Sequence, residues 1–158
     1  MIEIIDNYIT VDELLAPILA KGHKREMLSR LVKDVLNAPQ ALVNIDVNDI
    51  RDLFQKKCGT IYAYEISVDA TKESRMEQMM EEIKKVVKTL KSNNHFLFYF
   101  FYPENSPLMM HELNMFIKWV EGISGEFHVK WGMAYHPSQT LRTIIILQEK
   151  EYLSTKDC

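Results

Sequence analysis

Asn44, Asp46 and Asp49 form a polar cluster between two stretches with helical periodicity. Asp46 suits the N-cap of a helix predicted over Val47–Lys57. Asp49 falls at the third helical position, where a carboxylate favours the positive end of the helix dipole. On spacing alone, helix capping is the favoured interpretation of these residues.

Other chemical motifs are absent from the sequence. The five glycines form neither a phosphate-binding loop nor a dinucleotide fingerprint, and the five histidines lack metal-ligand spacing. The serines lack a nucleophile-elbow motif. Cys58 is predicted at a helix C-terminus, where the dipole raises the thiol pKa. The sequence therefore predicts no complete active site, no cofactor and no metal site, and an enzymatic role is uncertain.

Length and composition describe an ordinary globular protein. The chain has 158 residues and a net charge of −3, which predicts one main domain and no nucleic-acid or anionic-membrane partner. No apolar run is long enough to span a bilayer, and the acidic residues among the first 12 do not suit a secretory signal. A cytoplasmic location is expected.

Hydrophobic periodicity predicts five helices and four strands. The helices are predicted over Val11–Gly22, Lys24–Asn37, Val47–Lys57, Glu73–Lys91 and Pro107–Ile123, and the strands over Ile61–Val68, His95–Tyr102, Phe127–Tyr135 and Thr140–Gln148. The last two strands are predicted to form a hairpin through residues 136–139. The strand His95–Tyr102 is apolar on both faces, so it should be central. The fold class is α/β (α+β), with a four-stranded mixed sheet packed with helices.

From Met27 to Gln148 the chain resembles the C-terminal domain of bacterial FtsZ, preceded by the tail of its core helix. The family pattern Asn-x-Asp-Phe-Ala-Asp-Val matches Asn44, Asp46 and Asp49, with Ile50 in place of the valine. The phenylalanine and alanine of the pattern are replaced, and the family's loop glycine is missing. Downstream, the order of elements also matches, with Arg75 near the start of a helix.

The resemblance implies a particular role for the polar cluster. FtsZ binds GTP in an N-terminal domain with a Gly-Gly-Gly-Thr-Gly-Ser-Gly loop, which this sequence lacks. In FtsZ the catalytic loop acts in trans on nucleotide held by the next subunit. Asn44, Asp46 and Asp49 are therefore a candidate trans-acting loop. Residues 27–148 are expected to form the FtsZ-like domain, residues 1–26 an unassigned helical segment and residues 149–158 a charged tail of a self-contained small protein.

Three hypotheses follow for function. The first is a non-catalytic interaction module linked to a cytoskeletal or cell-division filament, whose partner is an FtsZ/tubulin-like GTPase subunit or a second copy. The second is a stand-alone small-ligand-binding or chorismate mutase-like oligomeric domain, against which the arginines are scattered in sequence. The third is a divergent domain whose loop only caps a helix.

Overall fold

The computed structural model describes residues 4–5, 9–10, 22–38, 61–88, 93–123 and 128–149. Near the start, the two-residue strands β1 (Ile4–Ile5) and β2 (Ile9–Thr10) pair in antiparallel orientation. The main sheet contains β3 (Ile61–Asp69), β4 (Asn93–Pro103), β5 (His128–His136) and β6 (Thr140–Glu149). The four predicted strands are confirmed, and each bound differs from the prediction by no more than two residues.

The strand order is β3-β6-β4-β5. β6 runs antiparallel to both β3 and β4, whereas β4 and β5 are parallel. The sheet is thus mixed, as the sequence predicts.

The predicted hairpin between the last two strands is wrong, because β4 lies between β5 and β6. Pro103 of β4 is opposite His136 of β5, and Phe101 of β4 is opposite Arg142 of β6. Two strand spacings amount to about 10 Å. The four peptide units from His136 to Thr140 can span about 13 Å, so the short connection can cross the end of β4.

Three helices cover the sheet in the described part of the chain. They are α1 (Gly22–Leu36), α2 (Arg75–Lys88) and α3 (Met110–Gly122). α1 packs on one face through residues with helical spacing: Leu28, Leu31, Val32 and Val35. α2 and α3 pack on the other face. None of these helices combines the length and apolar character that crossing a bilayer requires.

β4 contributes to the cores on both faces of the sheet. Leu97, Tyr99 and Phe101 pack on the α1 side, while the alternate residues Phe96, Phe98, Phe100 and Tyr102 face α2 and α3. All seven are buried. The prediction that this strand is central is confirmed, and its two apolar faces explain why it takes an inner position.

The helix bounds differ from the predictions by one to three residues at each end. α2 begins at Arg75 rather than Glu73, after a turn in which Asp69 Oδ1 accepts hydrogen bonds from the Thr71 amide and hydroxyl. α3 begins at Met110 rather than Pro107. The predicted helices over Val11–Gly22, except its last residue, and over Val47–Lys57 lie outside the described residues.

Candidate functional site

The candidate trans-acting loop, Asn44, Asp46 and Asp49, lies outside the described residues. The described chain stops at Ala38, two residues after the end of α1, and resumes at Ile61, the first residue of β3. The assignment of these three residues therefore stays a prediction.

Among the described residues, a buried cluster of charged groups surrounds Arg75 at the start of α2. Its Nε donates to Glu112 Oε2 over 2.8 Å, and its Nη2 donates to Glu112 Oε1 over 2.9 Å. Glu112 is in the first turn of α3. Each side chain is only 6% exposed. The pair therefore joins the starts of two helices that pack on the same face of the sheet.

The remaining donors of Arg75 hold the segment that precedes α3. Nη1 donates to the carbonyl oxygen of Ser106 over 2.9 Å and to its hydroxyl over 2.8 Å. Nη2 donates to the Pro107 carbonyl over 2.9 Å. Glu112 Oε1 also accepts the Met109 amide over 2.9 Å, which satisfies a donor at the helix start.

The electrostatics of this cluster favour its charged form. Hydrogen bonding to Glu112 raises the pKa of Arg75 despite its burial. Burial works to raise the pKa of Glu112, but the hydrogen bonds from Arg75 and from the Met109 amide outweigh it and lower that pKa. All five N–H donors of a guanidinium are engaged here. Arg75 therefore has none left for a ligand, and the cluster is suited to structure rather than catalysis.

An open cleft of about 690 Å³ lies beside this cluster. Its lining includes charged residues of both signs: Lys72 and Arg75 with Glu73, Glu77 and Glu112. Nowhere in the described ranges do three His, Cys, Asp or Glu side chains come together as a metal site would need. The cleft therefore has no set of converging groups that defines a ligand.

A second charged cluster lies on the α1 face of the sheet. Arg142 of β6 donates from Nε to Glu65 Oε2 of β3 over 3.1 Å, and its Nη2 contacts the same oxygen. Nη2 also donates to Asp34 Oδ2 of α1 over 2.6 Å. Arg30, one turn earlier in α1, donates to Glu65 Oε2 over 3.2 Å. Two arginines scattered in sequence thus meet in space, but two carboxylates balance their charge.

Sequence reasoning did not find either cluster as a site. The sequence signal for Arg142 is a single charge in the otherwise apolar run from Leu141 to Leu147, interrupted only by Thr143. The side-chain partners of both arginines are distant along the chain: Ser106 and Glu112 are 31 and 37 residues from Arg75, and Glu65 and Asp34 are 77 and 108 residues from Arg142. Hydrophobic periodicity carries no information about such pairings.

Comparisons with known proteins show which solved structures have a similar fold. No family model matches the chain, and no curated protein matches it significantly. Solved structures do match. An FtsZ from M. jannaschii is 16% identical with a TM-score of 0.58, over 93% of this chain and 49% of that one. A GTPγS-bound protofilament of CetZ2 from Haloferax volcanii is 16% identical with a TM-score of 0.55, over 87% and 45%.

A third match is TubZ from Bacillus thuringiensis serovar israelensis, crystallised as GDP-form protofilaments. It is 10% identical with a TM-score of 0.60, over 80% of this chain and 35% of that one. The chain therefore has an FtsZ/tubulin-like fold and spans about half the length of the FtsZ and CetZ chains that it matches. This confirms the predicted resemblance at the level of the fold and is consistent with a C-terminal-like domain.

Proposed function

We propose that this chain is a non-catalytic interaction module that docks on an FtsZ/tubulin-like GTPase subunit through Asn44, Asp46 and Asp49. In this proposal residues 27–148 form the docking domain, flanked by residues 1–26 and 149–158. The observation that carries it is the match of 93% of this chain to only 49% of an FtsZ. The spacing of the three polar residues supplies the candidate contact.

The protofilament structures among the matches support a filament subunit as the partner. In those protofilaments, successive subunits of an FtsZ/tubulin-like fold contact one another. A domain that spans about half of such a subunit can offer one of its contact surfaces to a neighbouring subunit. It would then cap a filament end or supply the hydrolysis loop to nucleotide held by the partner.

The charged clusters of the described residues favour this proposal over ligand binding. Arg75 has all its donors engaged, and Arg142 is bound to two carboxylates. Recognition of a dicarboxylate or a phosphate by arginine requires free donors in a fork. A chorismate mutase-like role is therefore disfavoured for the part of the chain that the structure describes.

The proposal is tested by adding the purified protein to FtsZ that is polymerising with GTP. We expect the protein to sediment with the filaments and to change the rate of GTP turnover, whereas FtsZ held with GDP serves as the control. No change in sedimentation and no change in turnover would contradict the proposal. Self-association without filament binding, measured by analytical ultracentrifugation, would instead identify a second copy as the partner.

The non-catalytic part of the proposal has its own test. Because the sequence lacks a glycine-rich loop to supply backbone amides to phosphates, the protein alone should not bind GTP. Isothermal titration calorimetry with GTP and Mg²⁺ should give no heat of binding. Micromolar or tighter affinity would contradict this prediction and, with it, the domain assignment.

A further inference from the structure

Arg142 is a charged residue at the edge of the apolar core on the α1 face of the sheet. On the α1 face its neighbours include Tyr99, Phe101, Ile144 and Ile146, all buried. Its guanidinium lies 5.2 Å from the centre of the Phe101 ring, and its side chain is only 17% exposed. Removing a charge from water is costly, and an apolar residue of similar size often serves stability equally well. Stability alone is therefore a poor reason for an arginine at this position.

The contacts of Arg142 join three elements. Asp34 lies in the last turn of α1, Glu65 in the middle of β3, and Arg142 in β6, and one guanidinium contacts both carboxylates. Arg30 adds a weaker and more exposed contact between α1 and β3, with its side chain 55% exposed. The ion pairs thus fix the end of α1 relative to the first strand of the main sheet.

Apolar packing does not fix this relation by itself. The contacts of α1 with the sheet core come from four buried aliphatic residues and the partly buried Leu36, and burial of apolar surface has no preferred direction. A helix that slips by one turn moves about 5.4 Å and can present a similar apolar stripe. Charge-assisted hydrogen bonds to a planar guanidinium are directional and therefore distinguish one position of the helix from another.

We propose that Arg142 is a positioning residue, which sets the position of the last turn of α1 through Asp34 and Glu65 and so sets where the chain departs toward Asn44, Asp46 and Asp49. The chain leaves the described part of this region at Ala38, four residues after Asp34. This inference rests on the proposed function for its consequence, but the position of α1 itself can be measured without any partner.

The test compares four variants with the wild-type protein: Arg142→Met, Asp34→Asn, Lys85→Met and Arg142→Lys. Arg142→Met keeps a long side chain over Phe101 and removes the charge, and Asp34→Asn removes the charge of its partner in α1. Lys85→Met is the matched control, because it removes a surface ion pair with Glu82 within one helix. Melting temperature, amide hydrogen exchange in residues 30–38 and the effect on FtsZ turnover are measured for each.

For Arg142→Met we expect a melting temperature within about 4 °C of the wild type. We expect hydrogen exchange in residues 30–38 to be about tenfold faster, and the effect on FtsZ turnover to fall by about fivefold or more. Asp34→Asn should change hydrogen exchange and the effect on turnover in the same directions but by smaller factors. Lys85→Met should change neither of these two quantities. Arg142→Lys should restore only part of the effect, because an ammonium lacks the fork that contacts both carboxylates.

Unchanged hydrogen exchange in residues 30–38 of Arg142→Met would overturn the proposal. A melting temperature that falls in proportion to the effect on FtsZ turnover would also overturn it, because Arg142 would then act only by stabilising the fold. A wild-type protein without effect on FtsZ would refute the proposed function instead. In that case hydrogen exchange alone still decides whether Arg142 positions α1.

Discussion

Arg75 and Glu112 are buried charges that tie the starts of α2 and α3 to the segment between β4 and α3. Loss of one partner leaves the other charge buried without compensation, which typically costs about 3–5 kcal/mol. The pair makes the domain sensitive to acid, because the Glu112 pKa is lowered in the folded state from an ordinary value of 4.5. Its contribution to stability is present above that ordinary value and is lost as the pH falls through the lowered one.

We therefore expect the free energy of unfolding to decrease as the pH falls below about 4.5, the ordinary pKa of a glutamate. Glu112→Gln should have a lower free energy of unfolding than the wild type at neutral pH. Its free energy of unfolding should also decrease less than that of the wild type on acidification. Glu65 and Asp69 also have lowered pKa values and contribute to the acid loss, so the comparison between variants is the informative quantity. Urea denaturation at several pH values measures it, with Glu82→Gln as the surface control. Equal acid slopes for wild type and Glu112→Gln would contradict this account.

Thr143 is the opposite case, a buried polar group without compensation. Its side chain lies in β6 between Ile66 and Phe100 on neighbouring strands. Its residue is 0% exposed, and its hydroxyl is the one buried side-chain polar atom without a hydrogen-bond partner among the described residues. Valine has nearly the same shape and no hydroxyl to desolvate.

Thr143→Val should therefore stabilise the protein by about 1 kcal/mol. The change appears as a higher urea midpoint without a change in the denaturant slope. Thr143→Ala is the control, because it also removes the hydroxyl but leaves a cavity and should destabilise. A lower midpoint for Thr143→Val would mean that the hydroxyl has a favourable contact.

At the scale of elements, strand identity could be predicted from sequence and strand order could not. The alternation of apolar and polar residues predicted the strands, and the unbroken apolar and aromatic run predicted the inner position of β4. Both patterns depend on which faces of a strand are covered by other elements. The short connection after His136 predicted a hairpin, but a turn signal does not specify whether its strands are neighbours. Likewise, the partners of Arg75 and Arg142 come from pairings between distant elements, which periodicity does not encode.

The inner position of β4 makes a sharp prediction for Phe98, which is 1% exposed and packs against Phe116 and Trp119 at 5.1 and 5.9 Å between ring centres. Phe98→Asp should leave the protein largely unfolded, because it places an unpaired charge in the core. Phe98→Leu is the control and should remain folded with reduced stability. Circular dichroism and thermal melting distinguish them. A soluble Phe98→Asp variant with a cooperative transition would contradict the packing described here.

At the scale of the whole molecule, the chain has an FtsZ/tubulin-like fold and covers about half the length of the FtsZ and CetZ chains that it matches. The fold resemblance could be predicted because the order of elements and the spacing of Asn44, Asp46 and Asp49 follow the family pattern. The docking role stays a proposal, because those three residues lie outside the described part of the chain. Helix capping by Asp46 is the competing explanation for their spacing.

The most direct measurement compares Asp46→Ala, Asp46→Ser and Asp49→Ala for melting and for their effect on the GTP turnover of FtsZ. If the loop acts on a filament partner, all three variants should fold with nearly unchanged stability and lose that effect, since serine supplies no carboxylate. If Asp46 only caps a helix, Asp46→Ala should lose about 1 kcal/mol of stability and Asp46→Ser much less. A full effect on turnover in both alanine variants would contradict the docking proposal.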